Sequence, residues 1–462
     1  MRRRDLLAAG LGAPALLRAQ RRPNILFLFT DDQRFDTIRA LGNPEIRTPA
    51  LDRLAGRGTA FTHAHNMGGA APAVCVASRA MLLSGQTMFR ADAHVEAASR
   101  GQAAPCDLFP EFLRRHGYLT FGTGKWHNRA PLYARCFSAG SEIFLGGMSD
   151  HDKVPVHDFR PSGVYPKEPD RLGGRFSSEL FADAAIRFLQ QHDGAAPFLA
   201  YVSFTAPHDP RTAPPEFSAM YPPERLSVPA NFAPQHPFDN GELKIRDELL
   251  APFPRTEAAI REHLAAYYAM ITHLDAQIGR VLEALDRSRF ARDTLVIFSS
   301  DNGLAVGQHG LLGKQNLYDH SVRVPLIFAG PDVPRGRRAD SLCYLLDLFP
   351  TLCEFAGLET PRTVEGVSLW PAMRKPSTRV RDSLLLGYRN FQRAVTTGEW
   401  KLIRYDPPAE PRTQLFHLRR DPGERRNLAE NPAHAARVRE LNGLLEEWMK
   451  RAGDPLAAAT SG

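Results

Sequence analysis

Cysteine is scarce in this chain, at five in 462 residues, so it is no disulfide-stapled mini-protein whose core is too small to hold itself together. Long apolar runs are lacking too. No stretch reaches the ~20 residues a membrane-crossing helix needs, which excludes stable membrane insertion as the organising principle. A large surplus of one charge is also missing: the formal charge is +7, and without residues 1–19, which hold four arginines and one aspartate, it is +4. That modest excess helps steer an anionic substrate but is far from the dense basic stripe of a nucleic-acid binder. Internal repeats and low-complexity tracts are absent, which excludes solenoids and disordered linkers as the main architecture. What is present is a 43% hydrophobic chain with 37 prolines and 35 glycines, enough for a large core carrying many loops on a rigid scaffold.

The first residues, Met1-Arg2-Arg3-Arg4-Asp5-Leu6-Leu7, precede a short apolar body from Ala8 to Leu17. A basic head on a body too short to span a membrane reads as an export signal of the twin-arginine kind, processed near Ala19. The chain is therefore expected in the periplasm or outside the cell. In such a compartment Cys106, Cys136, Cys343 and Cys353 could pair in three ways, and sequence does not choose among them. Cys343 and Cys353 sit among apolar neighbours and read as buried thiols.

Five apolar runs adjoin chemistry. Asn24 to Thr30 ends at Asp31-Asp32, Tyr118 to Gly122 leads to Lys125 and His127, and Phe198 to Phe204 leads to Pro207-His208. Thr294 to Phe298 leads to Asp301-Asn302, and Val324 to Phe328 follows Lys314 and Asp319-His320. Continuous runs of this kind suit strands covered on both faces. Helical spacing lies between them, over Thr48 to Gly58, Phe176 to Leu189 and Thr256 to Leu285. The alternation predicts an α/β fold with a large, mostly parallel sheet and helices on both faces. Taken singly, each charged cluster reads as a turn. Together they fall beyond the carboxyl ends of the strands, where such folds place their sites.

Cys75-Val76-Ala77-Ser78-Arg79 follows a run of small residues and opens a predicted helix, where unpaired backbone N–H groups favour anions and a nucleophile would be well placed. Asp31, Asp32, Asp301 and Asn302 offer only oxygen ligands, which suits a hard cation, and calcium is expected over zinc. Three carboxylates would repel an anionic ester unless a cation neutralised them.

The pentapeptide at Cys75 with Leu83-Ser84-Gly85 resembles the signature of the type I sulfatase family, with Ala77 where proline is commonest. The resemblance extends over Asn24 to Asp32, Thr48 to Ala55, Gly124 to His127, Pro207-His208, Asp301-Asn302-Gly303, His309-Gly310 and Lys314 to Asp319. It implies an alkaline-phosphatase-like fold and conversion of Cys75 to formylglycine by a maturation enzyme whose identity Ala77 leaves open. It further implies one Ca²⁺ held by Asp31, Asp32, Asp301, Asn302 and the modified Cys75. Arg79, Lys125, His127, His208 and Lys314 resemble the family's anion-binding and proton-transfer residues. In the mechanism so implied, Asp301 takes a proton from one hydroxyl of hydrated formylglycine as it attacks sulfur. His208, beside Lys314, protonates the departing alcohol, and His127 then deprotonates the second hydroxyl so that sulfate leaves.

Three segments are expected: the signal at 1–19, a catalytic domain at 20–373, and a small C-terminal subdomain at 374–462 with an antiparallel sheet and a terminal helix. The Pro- and Gly-rich stretches 129–175 and 209–254 read as pocket-lining loops, with His151, Lys153 and Arg211 as candidate contacts. The expected activity is release of sulfate from a sulfate ester, most naturally of a carbohydrate. The alternatives are a phosphonate monoester or phosphodiester hydrolase with the same site, and a non-catalytic binder of sulfated ligands.

Overall fold

The computed structural model describes residues 22–102 and 106–459; the proposed export signal lies outside them. Its main sheet has eight strands in the order Arg337–Tyr344, Gly58–His65, Arg323–Ala329, Thr294–Ser300, Asn24–Thr30, Phe198–Ser203, Leu119–Lys125 and Ala139–Phe144. Only Arg323–Ala329 runs against the others. Every residue of Asn24–Thr30 is buried, because the strand's alternate side chains enter separate cores. Ile25, Phe27 and Phe29 pack with Tyr201 on one face, while Leu26 and Leu28 pack with Ala200 and Val202 on the other. The period of two thus survives inside an all-apolar run.

Helices cover both faces. The longest, Glu257–Arg287, starts where the Thr256 side chain accepts from the Ala259 N–H, an N-cap that satisfies one otherwise orphaned donor. Its inward stripe includes Ile260, Leu264, Ile271, Leu274 and Ile278, as the helical spacing predicts. Ala139–Phe144 and the Ala130–Cys136 helix fall inside the stretch read from sequence as loop; their Gly, Ser and Arg content hides the period.

A second sheet of five strands runs in the order Arg412–His417, Trp400–Tyr405, Gln392–Thr396, Leu384–Tyr388 and Gly68–Gly69. The first four pair antiparallel, and the glycine pair joins Leu384–Tyr388 in parallel. Gly68 has φ +108°, and a Cβ there would meet the Gly387 carbonyl oxygen at 1.9 Å, so only glycine fits. The small-residue run before Cys75 is thereby clipped to the C-terminal sheet. The Ala435–Ala452 helix packs on the same sheet. All five cysteines are buried free thiols. Among the described residues no helix is long and apolar enough to cross a membrane.

Candidate active site

Strand register assembles the site. Thr30 is level with Ser300 and Phe29 with Ser203, so Asp31, Asp32, Asp301, Asn302 and the segment to His208 leave the sheet at one edge. Asp32 turns back with φ 66°, a conformation disfavoured for residues other than glycine. Its N–H donates to Asp301 Oδ1 at 3.1 Å, and its carbonyl accepts from the Tyr267 hydroxyl at 2.6 Å.

The carboxylates are matched by cations from distant segments. Lys125 Nζ is paired with Asp31 Oδ2. Arg79 Nε lies 3.0 Å from Asp301 Oδ2, with its Nη1 donating to Ser203 Oγ at 2.8 Å. Lys314 Nζ lies 2.6 Å from Asp32 Oδ1 and 3.4 Å from Cys75 Sγ. Asn302 Nδ2 donates to Asp32. Burial pushes the Asp32 carboxyl up to about 8, with Asp31 and Asp301 pushing the same way against Lys314. Burial and Asp31 likewise raise Asp301. Burial would raise Asp31 as well, but Lys125, Arg79 and Lys314 outweigh it and hold that carboxyl below its usual value.

Cys75 is the second residue of the Val74–Ser84 helix, which ends at Gly85 with φ 66°. Its side chain is fully enclosed, and burial raises its thiol despite Lys314 and Lys125. Asp31, Cys75 and His208 bring one ligand atom each within 4.8 Å of one another, as do Asp31, Asp32 and Asp301. Asp31 Oδ1 and Asn302 Oδ1 are buried and without a partner among the described residues. Orphaned oxygens facing crowded carboxylates are what a hard divalent cation would satisfy, so the residues fit the calcium expected from them.

His208 Nδ1 donates to the Asp209 carbonyl at 2.8 Å, leaving Nε2 3.6 Å from Asp32 Oδ2. Burial, then Lys314 and Lys125, press its pKa well below the usual value. The same causes, burial first and then Lys125, Arg79 and Lys314, bring His127 down to about 2.

All the residues singled out in the sequence for metal binding and catalysis thus lie at one edge of one sheet. The loop candidates fare differently. His151 is buried and hydrogen-bonds the His208 carbonyl, so it stands behind the site rather than in it. Lys153 is exposed. Arg211 Nη1 faces His263 Nδ1 at 2.8 Å, with its guanidinium over the Tyr267 ring. Sequence reasoning missed Ser203, Tyr267 and Gly147. A Cβ on Gly147 would stand 2.5 Å from His127 Nε2. None of the three carries a local signal, since each acts through a neighbour far away in the chain.

Carboxylates able to hold a cation, a cysteine at a helix start and lysines beside both fit a hydrolase of anionic esters on an α/β scaffold. The comparisons narrow that class. The family model described as Sulfatase matches residues 23–358, and the one described as N-sulphoglucosamine sulphohydrolase, C-terminal, matches residues 307–451. The chain belongs to the sulfatase family and is a sulfuric ester hydrolase. It is 29% identical to a sulfatase of Formosa agariphila over 92% of this chain and 86% of the relative. It is 28% identical to an ulvan-active sulfatase of the same organism, over 94% and 82%. A solved structure in complex with its substrate D-glucosamine-2-N,6-O-disulfate superposes with a TM-score of 0.76 at 22% identity, covering 94% of this chain and 99% of that one; at that identity it speaks for the fold.

Proposed function

We propose that this sulfatase acts on a sulfated carbohydrate, through formylglycine made from Cys75 and with one bound Ca²⁺. The observation that carries the reading is Lys314 Nζ, which touches both Asp32 and the Cys75 sulfur and so ties the carboxylate cluster to the nucleophile position. The carbohydrate class is supported by the ulvan-active relative. Asp31, Asp32, Asp301 and Asn302 would hold the cation with an oxygen of modified residue 75. When bound, it neutralises the sulfate and acidifies the nucleophile's hydroxyl.

The chain's own groups do the rest. Asp301, its proton affinity raised by burial and Asp31, takes the proton of the attacking hydroxyl. Lys125 and Lys314 hold the sulfate oxygens, a fixed-charge contribution of several kcal/mol in such sites. Arg79 anchors Asp301 and balances the charge around residue 75. His208 presents Nε2 to the departing alcohol, and the arriving sulfate's negative charge opposes the forces that strip its proton. His127 removes the proton of the remaining hydroxyl, which releases sulfate and restores the aldehyde. A second hydroxyl on the nucleophile is what an unmodified Cys or Ser would lack.

In the same reading, residues 1–19 direct export by the twin-arginine route, a maturation enzyme converts Cys75, and 20–373 and 374–462 are the catalytic and C-terminal parts. The test pairs mass spectrometry of the Cys75 peptide from the native host with sulfate release from a panel of defined sulfated saccharides. An aldehyde at residue 75 and saccharide desulfation are expected. A persistent thiol would favour a binding protein, and faster turnover of an aryl phosphodiester without sulfate release would favour the phosphonate or phosphodiester reading.

A further inference from the structure

A cavity of about 480 Å³ adjoins the catalytic edge between the Val74–Ser84 helix, the Met88–Ser99 helix and the segment after Lys125. Its volume is in the range of small-molecule sites, roughly 300–1,000 Å³. The helix that carries Cys75 lends it Val76, Ala77 and Ala80, its N-cap Ala73 adds another small side chain, and His127 also lines it. The wall is therefore mostly apolar and reaches a residue of the proposed proton-transfer set.

Two polar groups in this wall have no partner among the described residues. Asn128 is 9% exposed, and both atoms of its side-chain amide are buried without a partner. A buried amide left unpaired costs about 1–3 kcal/mol, which a ligand bonding to it would recover. Asp92 makes no hydrogen bond or ion pair with any described residue, and burial alone lifts its carboxyl to about 6. The other charges are already matched: Glu96 accepts from Arg129 Nε at 3.0 Å and from Arg100 Nε at 3.0 Å. Asp92 thus leaves the cavity with one unmatched negative charge, next to a catalytic edge crowded with Lys125, Lys314 and Arg79.

We propose that this cavity receives the alcohol portion of the substrate and selects an alcohol that carries an ammonium group, as in the sulfate ester of an amino sugar with a free amine. The sulfate would face the lysines, the ammonium would pair with Asp92, and ring hydroxyls would bond the Asn128 amide while the ring's C–H face lies on Val76 and Ala77. The proposal rests on the catalytic reading above for its sulfate end only.

The test compares glucosamine 6-sulfate with glucose 6-sulfate, which differ at the amine, in wild type and in Asp92→Asn. A charge-assisted hydrogen bond predicts a wild-type preference for the amine of roughly 10- to 100-fold in kcat/KM. Asp92→Asn should erase that preference by lowering only the amine substrate, leaving glucose 6-sulfate within about 2-fold. Calorimetric titration of both sugars into protein whose Cys75 is still a thiol gives the same comparison without turnover, with Asn128→Ala as a second variant that should weaken both sugars. Equal binding of the two sugars to wild type, or equal losses in Asp92→Asn, would overturn the proposal. Absent sulfate release with the amine preference intact in the titration would instead count against the catalytic reading.

Discussion

His151 Nε2 lies 2.9 Å from the carbonyl oxygen of His208, and its Nδ1 lies 3.0 Å from Ser177 Oγ, which is 2.7 Å from Thr205 Oγ1. A carbonyl only accepts, so Nε2 carries the imidazole proton and Nδ1 accepts from the Ser177 hydroxyl or from that of Thr205, which lies 3.2 Å away. Every donor points toward His208. With its own Nδ1 donating to the Asp209 carbonyl, His208 is held at its backbone and at its ring, and the proposed function gives the remaining Nε2 to the leaving group.

His151→Phe removes the last donor of this chain while keeping a ring in its place. A leaving-group acid matters most when the departing alkoxide is a strong base, and general acids contribute roughly 10²–10⁴-fold. The variant should lose ~10²-fold in kcat on alkyl sulfates and less than ~3-fold on 4-nitrophenyl sulfate, with His151→Gln recovering part of the loss. Steady-state kinetics on both esters check this. Equal losses on the two would reduce His151 to a packing residue.

Gly147 is a steric requirement of His127. A methyl placed there would stand 2.5 Å from Nε2 and 2.7 Å from Cε1, closer than any relaxed carbon contact, so the ring must rotate away. Misplacing a reacting group by about 1 Å costs on the order of 10²-fold. Gly147→Ala is therefore expected to cut kcat by that factor with an unchanged melting temperature. Trapping of sulfate on residue 75 in the variant, seen by intact mass, would show that the second proton transfer is the step affected.

Removing the cation should cost stability as well as activity. Without it Asp32 and Asp301 are raised by burial and by their neighbouring carboxylates, so the folded state holds charge it would rather shed. A chelator is expected to abolish sulfate release and lower the melting temperature, and excess Ca²⁺ should restore both. At one hundred times its dissociation constant a ligand adds about 2.7 kcal/mol. An unchanged melting curve in chelator would remove calcium from the site.

Much of this architecture was readable beforehand because parallel strands buried on both faces leave long apolar runs, and their carboxyl ends then mark the site. Asp31, His208 and Asp301 each directly follow such a run or lie within a few residues of it. The strand Gly58–His65 was less visible, since Thr62 and His63 are only partly buried and interrupt the apolar pattern. The antiparallel course of Arg323–Ala329 left no trace, because its burial matches that of its parallel neighbours. His151 looked like loop charge because prolines and glycines surround it; its partners Ser177 and His208 are 26 and 57 residues away, beyond what local pattern can show.

Acid should unfold the protein partly through histidines that the fold keeps neutral. His236 is 2% exposed, donates from Nδ1 to the Phe238 carbonyl at 2.7 Å, and is brought down to about 4, chiefly by burial. Its folded pKa lies below the ordinary value of 6.5, so the unfolded chain binds the proton more readily. The associated stability is complete above pH 6.5 and is lost as pH falls toward 4. At pH 5 the loss is about 2 kcal/mol from this residue alone. His236→Gln, which keeps a polar group in the cavity, should lower stability at pH 7 yet flatten its decline between pH 6.5 and 4. Urea melts at closely spaced pH values check the slope, and a slope identical to wild type would assign the acid sensitivity to other groups.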